Sequence, residues 1–236
     1  MNIQSAGLDI ENALSPFINQ IICGDCLDAI KELPTNCVDL VLTDPPYGIG
    51  EARKNNPSRS KLAIAKDYGK SNWDDKIPDG EYFKEIMRVS KNQIIFGGNY
   101  FIEYLYNSPC WIVWDKDNGE NDFADCELAW TSFKSAVRRY KFRWAGMLQE
   151  NMKKKEQRFH PTQKPVGLFE RILDNYSQLG MTVLDPFFGS GTTAVAALNT
   201  GRFFIGIEKE PKYCEIARER VKQARMQGSL FGGDTC

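Results

Sequence analysis

The chain has 236 residues, of which 42% are hydrophobic and 26% charged, and its formal net charge is −1. This suits one large domain and marks neither disorder nor a membrane protein. No apolar run is long enough to cross a bilayer, and the N-terminus lacks the basic start and apolar centre of an export signal. The seven cysteines (Cys23, Cys26, Cys37, Cys110, Cys126, Cys214, Cys236) are therefore expected to be reduced thiols in a cytoplasmic protein. Cys23 and Cys26 form a C-x-x-C with no second pair and no neighbouring histidine, so no metal site is expected.

In chain order, a strand at Gln20–Cys23 leads to a helix over 26–33 and a strand at Val38–Thr43. A polar, irregular stretch at 51–78 reads as a mobile loop. A helix at Gly80–Val89, a strand at 93–96, a helix at 100–106 and strands at 111–114 and 127–131 follow. Beyond a basic segment come a helix at Val166–Tyr176, a strand at 182–184, a helix at Thr192–Asn199, a strand at 203–207 and a helix over 211–226. The tail, 227–236, reads as flexible. Strands and helices in alternation predict an α/β fold, a single domain over 1–236 built on an open and mostly parallel sheet. Such sheets bind ligands outside the carboxyl ends of their strands.

One strand end carries Asp185-Pro186-Phe187-Phe188-Gly189-Ser190-Gly191-Thr192-Thr193. Glycines there let the backbone approach a ligand, and a helix start offers free N–H groups. Gly189, Gly191 and Ala194 fit the dinucleotide pattern G-x-G-x-x-A, with Glu208 ending the next strand where it can reach a ribose. A nicotinamide oxidoreductase would use such a turn. The acid ahead of the glycines suits an amino-acid ammonium better than a pyrophosphate, which favours S-adenosylmethionine (SAM).

A second strand ends in Asp44-Pro45-Pro46-Tyr47-Gly48. Paired prolines stiffen the backbone and remove two N–H donors, which frees carbonyls to face a ligand. Asp44 and the Pro45 carbonyl can each accept one N–H of an exocyclic amino group, and Tyr47 can stack on the planar ring that bears it.

Together these motifs resemble the β class of amino-directed DNA methyltransferases, the N6-adenine and N4-cytosine family. Asp44, Pro45, Pro46 and Tyr47 resemble its catalytic motif, and the run from Asp185 to Gly191 its SAM motif. His160-Pro161-Thr162-Gln163-Lys164-Pro165 resembles a third motif that lines the methionine end of SAM. The catalytic motif comes first and the cofactor motif last, as in the β class, and the resemblance spans about 21–221. It implies a circularly permuted SAM-methyltransferase sheet. In it 182–184 is the first strand, 203–207 the second, Gln20–Cys23 the third and Val38–Thr43 the fourth.

The cofactor residues it implies are Asp25, Thr162, Lys164, Asp185, Phe187, Gly189, Ser190, Gly191, Thr192 and Glu208. Asp185 would face the ammonium, Glu208 the ribose and Lys164 the carboxylate of SAM; Asp25 also reads as a helix N-cap. His160 is expected to pack rather than to act as a base. An acid before Pro-Pro points to adenine N6 in this family, with cytosine N4 as the alternative. RNA or a protein glutamine, and a catalytically silent DNA-binding protein, are the remaining rivals.

Double-stranded DNA is the expected partner, with the base flipped out of the duplex. Lys134, Arg138, Arg139, Lys141, Arg143, Lys153, Lys154, Lys155 and Arg158 face only Glu150 and Glu156 in their segment, a candidate phosphate-binding and recognition region at 134–158. In the tail, Gln227-Gly228-Ser229-Leu230-Phe231 resembles the short peptide by which bacterial DNA enzymes dock on the sliding clamp. A homodimer is a further partner to test.

Overall fold

A computed structural model describes residues 10, 12–50, 74, 76–119, 124–145, 148–160 and 162–231. The expected loop at 51–78 lies outside the described residues except for 74 and 76–78, and so does the tail from 232 onward. Ten strands are formed among the described residues: β1 (Gln20–Cys23), β2 (Val38–Thr43), β3 (Ser90–Phe96), β4 (Trp111–Asp115), β5 (Cys126–Thr131), β6 (Arg138–Lys141), β7 (Trp144–Ala145), β8 (Leu148–Gln149), β9 (Thr182–Asp185) and β10 (Phe203–Glu208). The helices are α1 (Cys26–Lys31), α2 (Gly80–Val89), α3 (Val166–Tyr176), α4 (Thr192–Asn199) and α5 (Pro211–Phe231).

Eight strands make one sheet in the order β1-β10-β9-β2-β3-β5-β4-β6, and β7 pairs with β8 in a small hairpin. Every neighbour in the large sheet is parallel except β5, which runs antiparallel to both β3 and β4. The expected permutation holds: β9 is central, β10 and then β1 lie to one side, and β2 starts the other. The chain order thus reverses between β9 and β2, which opens a crevice at their carboxyl ends.

Successive strand residues point to opposite faces, and each face is buried. Leu40, Leu42, Ile94, Phe96 and Phe204 pack under α3, α4 and α5 through Leu168, Phe169, Ala197 and Val221. Val41, Ile95, Ile205 and Ile207 pack under α1 and α2 through Ile30, Phe83 and Ile86. Burial on both faces explains why the central strands read as continuous apolar runs.

Several expectations need correction. Helix α1 stops at Lys31, with Glu32 as its C-cap, just short of Leu33 and Pro34, because a residue before proline is pushed out of the helical region. The expected helix at 100–106 is two 3-10 turns, Gly98–Tyr100 and Ile102–Tyr104. There Tyr104 stacks on Phe83 and Tyr106 meets Trp130 edge-on, so separate anchors hold the segment. The basic segment is not wholly irregular, since it contains β6, β7 and β8. Helix α5 runs on to Phe231, so 227–231 is helical where a flexible tail was expected.

Candidate active site

The crevice between β2 and β9 opens into a cavity of about 630 Å³ lined by both principal motifs. Asp44 and Pro46 face it from the end of β2. Asp25, Thr162, Lys164, Asp185, Phe187, Gly189, Ser190, Thr192 and Glu208 complete much of the wall. Pro45, Tyr47 and Gly191 do not line it. Gly191 caps α4 with φ of 82°, a conformation that favours glycine, and a Cβ there would lie 3.0 Å from that of Ala217. Its part is to shape the turn.

The acidic groups sort by what already occupies them. Glu208 accepts from the backbone N–H groups of Gly189 (2.7 Å) and Glu210 (2.8 Å), which orients both oxygens at the cavity wall. Burial pushes its carboxyl up despite these bonds. Asp185 accepts from Thr43 Oγ1 at 2.8 Å, from Thr193 Oγ1 and from the Phe187 N–H at 3.1 Å. Burial nevertheless raises its pKa to about 7. Asp25 caps α1 by accepting from the Leu27 N–H at 3.0 Å, and Lys209 lies 3.4 Å away. The expected cap is formed, and Asp25 also lines the cavity.

Two other cavity-wall residues, Ser190 and Thr192, also bond to the scaffold. Ser190 Oγ donates to Gln163 Oε1 at 3.1 Å, and Thr192 Oγ1 donates to the Lys164 carbonyl at 3.2 Å. These bonds tie the third motif to the glycine-rich turn. From α5, the buried Arg220 reaches the same turn, donating to the Ser190 carbonyl at 2.7 Å. Burial lowers Arg220 to about 10. His160 packs edge-on against Tyr213, and burial lowers its pKa to about 4, so it is neutral at neutral pH.

At the base end, Lys164 carries ion pairs that its motif did not announce. Its ammonium lies on Asp44 Oδ2 and 3.1 Å from Glu127 Oε2. Tyr47 donates its hydroxyl to Asp44 Oδ1 at 2.5 Å. Lys116 holds the other Glu127 oxygen at 2.7 Å. Burial pushes Glu127 up, but Lys164 and Lys116 outweigh it and hold it down at about 2. Sequence reasoning missed Glu127 and Lys116, because each lies in or beside an ordinary strand with no motif around it.

Asp74 was missed too. It is buried and accepts from the Gly48 N–H at 2.9 Å, pinning the turn after Tyr47. The Tyr47 ring stacks on Tyr100 with centroids 4.9 Å apart and lies against Gly97, where a Cβ would come within 2.1 Å of the ring.

The basic residues are divided. None lines the cavity. Arg138, Arg139 and Lys141 are exposed on β6, the edge strand, and Lys134, Arg143, Lys153, Lys154 and Lys155 are exposed beside it in sequence. Lys141 (2.8 Å) and Arg143 share Asp117. Arg158 departs from the group, because its guanidinium lies 4.2 Å above the Trp144 ring. This contact packs its guanidinium against the protein itself.

Residues 103–219 match the family model described as DNA methylase, N6_N4_Mtase. The type II methyltransferase M.HpaI of Haemophilus parainfluenzae is 30% identical over 86% of this chain and 74% of its own length. The chain belongs to the N6/N4 family of amino-directed DNA methyltransferases. M.HinfI of Haemophilus influenzae, also a type II methyltransferase, is 28% identical over 90% of this chain and 70% of its own.

Among solved structures, M1.HpyAVI in complex with SAM aligns with a TM-score of 0.55 and 25% identity, covering 86% of this chain and 98% of that one. PvuII DNA methyltransferase, a cytosine-N4-specific enzyme, shares the fold with a TM-score of 0.56 at 15% identity, over 88% and 90% of the two chains. Membership of the N6/N4 family removes the nicotinamide reading of the glycine-rich turn. That reading also left Asp44 to Tyr47 idle.

Proposed function

We propose that this member of the family binds SAM in the β2–β9 cavity and methylates the exocyclic amino nitrogen of a base flipped out of double-stranded DNA, adenine N6 in the first instance. The observation that carries the reading is that one cavity is walled both by Asp44 and by Asp185, Gly189 and Glu208. A transferable group and an amino acceptor can therefore meet in it.

The residues fit the cofactor. Asp185 suits the ammonium and Glu208 the ribose hydroxyls, with Phe187 and Asp25 on the side of the purine. Within the wall, Tyr82 Oη is buried and has no hydrogen-bond partner among the described residues, and a polar ligand would satisfy it. When bound, SAM supplies an electrophilic methyl group on a sulfonium. Asp44 and the Pro45 carbonyl accept the two amino N–H groups. This draws the nitrogen toward tetrahedral geometry and stabilises the positive charge it gains.

A base that stacks on the face of Tyr47 now covered must displace Tyr100. That ring is exposed and sits on a single 3-10 turn, so displacement is inexpensive. Lys141 and Arg143 support the DNA path. β2, β4 and β6 run in one direction, so these side chains lie at the same end of the sheet as Asp44. Asp44 favours adenine over cytosine by the family tendency, although both bases offer the same amino geometry.

The test is transfer of labelled methyl from SAM to duplex DNA, RNA and protein, followed by modified-base sequencing. N6-methyladenine in duplex DNA, lost in Asp44→Ala with SAM binding retained, is the expected result. Near-normal turnover by Asp44→Ala would overturn the reading.

A further inference from the structure

We propose that Lys164 is a positioning residue for the target base: clamped between Asp44 and Glu127, its ammonium keeps the Asp44 carboxylate ionised and able to accept from the amino group, and it does not serve the cofactor's carboxylate. The inference rests on the amino-methyltransfer reading for its purpose, but not for its geometry.

Asp44 has to arrive at the base as an acceptor. If protonated, it would present an O–H of its own and lose much of its pull on the amino hydrogens. Its surroundings push it that way. Burial raises the Asp44 carboxyl, and Glu127 adds like charge. Asp185 lies one strand over, bonded to Thr43, the residue before Asp44. Tyr47 contributes a neutral hydroxyl, its own ionisation suppressed by burial and by Asp44. Among the described groups facing Asp44, Lys164 is the one cation, and it pulls the carboxyl back.

Nothing about the Lys164 placement is loose. The side chain is only 6% exposed. The ammonium lies 5.6 Å from the centroid of Tyr47 and 5.4 Å from that of Phe96, so two ring faces flank it. Its carbonyl is held by Thr192. Behind it, Glu127 is fixed by Lys116 and stays ionised. With Asp44 charged, the array of Asp44, Glu127, Lys164 and Lys116 is neutral overall. Removing the lysine leaves two carboxylates near each other with one cation behind them, and the cheapest relief is to protonate Asp44. A lysine that instead served the carboxylate of SAM would have to leave both anions.

The test compares full-length wild type with Lys164→Met, Lys164→Arg and Glu127→Gln. Three measurements are made: carbon-13 titration of the Asp44 carboxyl, assigned with Asp44→Asn; SAM affinity by calorimetry; and the pH profile of kcat on duplex DNA. In Lys164→Met the Asp44 midpoint and the rising limb of kcat should move up by about one pH unit or more. SAM affinity should change by less than about threefold. Lys164→Arg should restore most of the shift, and Glu127→Gln should move the midpoint the other way.

An unmoved Asp44 midpoint in Lys164→Met would overturn the proposal, as would a SAM affinity lowered tenfold or more with the pH profile intact. If Lys164→Met does not fold, an unmoved midpoint in Glu127→Gln overturns it equally. The carboxyl titration needs no turnover, so a wild type that transfers no methyl group to DNA would defeat the methyltransferase reading while leaving the role of Lys164 to be decided by the titration.

Discussion

Tyr82 and Asp185 show how single groups are left in uncomfortable states that a ligand would relieve. The Tyr82 hydroxyl is 3% exposed as a residue and has no partner among the described residues. An unsatisfied buried hydroxyl costs about 1–3 kcal/mol. Tyr82→Phe should therefore leave the ligand-free melting temperature unchanged or raised while weakening SAM binding by about tenfold. Thermal melts with and without SAM check both signs together, and a fall in ligand-free stability with unchanged affinity would refute this role for Tyr82.

Asp185 carries the pH argument. Its pKa, about 7 in the folded protein, is above the ordinary carboxylate value, so the neutral form is favoured by folding. This contribution to stability is full below the unfolded carboxylate range and is lost as pH rises through about 7. Binding of a cationic ammonium has the opposite sign, since it needs Asp185 ionised. SAM affinity should weaken as pH falls below about 7, and calorimetry on Asp185→Asn should show weaker binding with this dependence removed.

At the scale of elements, helices and strands act as levers that hold the turns. The glycine-rich turn opens α4, but Arg220 on α5 braces it from outside through the Ser190 carbonyl and side chain. Arg220→Met keeps most of the buried volume and loses those charged hydrogen bonds, each worth about 1.5–3 kcal/mol. Melting temperature should fall, and SAM affinity should drop by about tenfold. A calorimetric titration showing wild-type affinity would mean that the turn holds its shape without the brace.

Legibility followed the same division. β1, β2, α2, α3 and α4 lie at their expected bounds because apolar periodicity and turn residues mark them without competition. β6 was illegible: Arg138, Arg139, Tyr140 and Lys141 carry no apolar alternation, and the strand exists because β4 offers it a free edge. Asp25, Asp44, Asp185 and Glu208 were readable from strand ends. Lys116, Glu127 and Arg220 were not, because their meaning comes from partners distant in sequence. Lys164 was read as part of its motif, but its ion pairs with Asp44 and Glu127 were not, since both partners are distant in sequence.

For the whole molecule, the charge distribution decides where DNA can lie. The overall charge is −1, so attraction must be local. Around β6, Asp117 offsets part of the charge of Lys141 and Arg143, leaving about one net positive charge among the three. Lys153, Lys154 and Lys155 are exposed, and the N–H groups of Lys153 and Lys154 are turned onto Asn151 Oδ1. Their backbone is thereby ordered while their side chains face solvent. If all three contact phosphates, changing them together to Gln should lower the salt slope of DNA binding by up to about three units, with sequence preference unchanged.

Arg158→Gln should behave differently. Its stacking on Trp144 makes it part of the packing, so the change should lower thermal stability and leave the slope at its wild-type value. Fluorescence anisotropy over a range of salt concentrations separates the two. An unchanged slope in the triple variant would remove this face from the DNA path, and a slope lowered by about one unit in Arg158→Gln would return Arg158 to it.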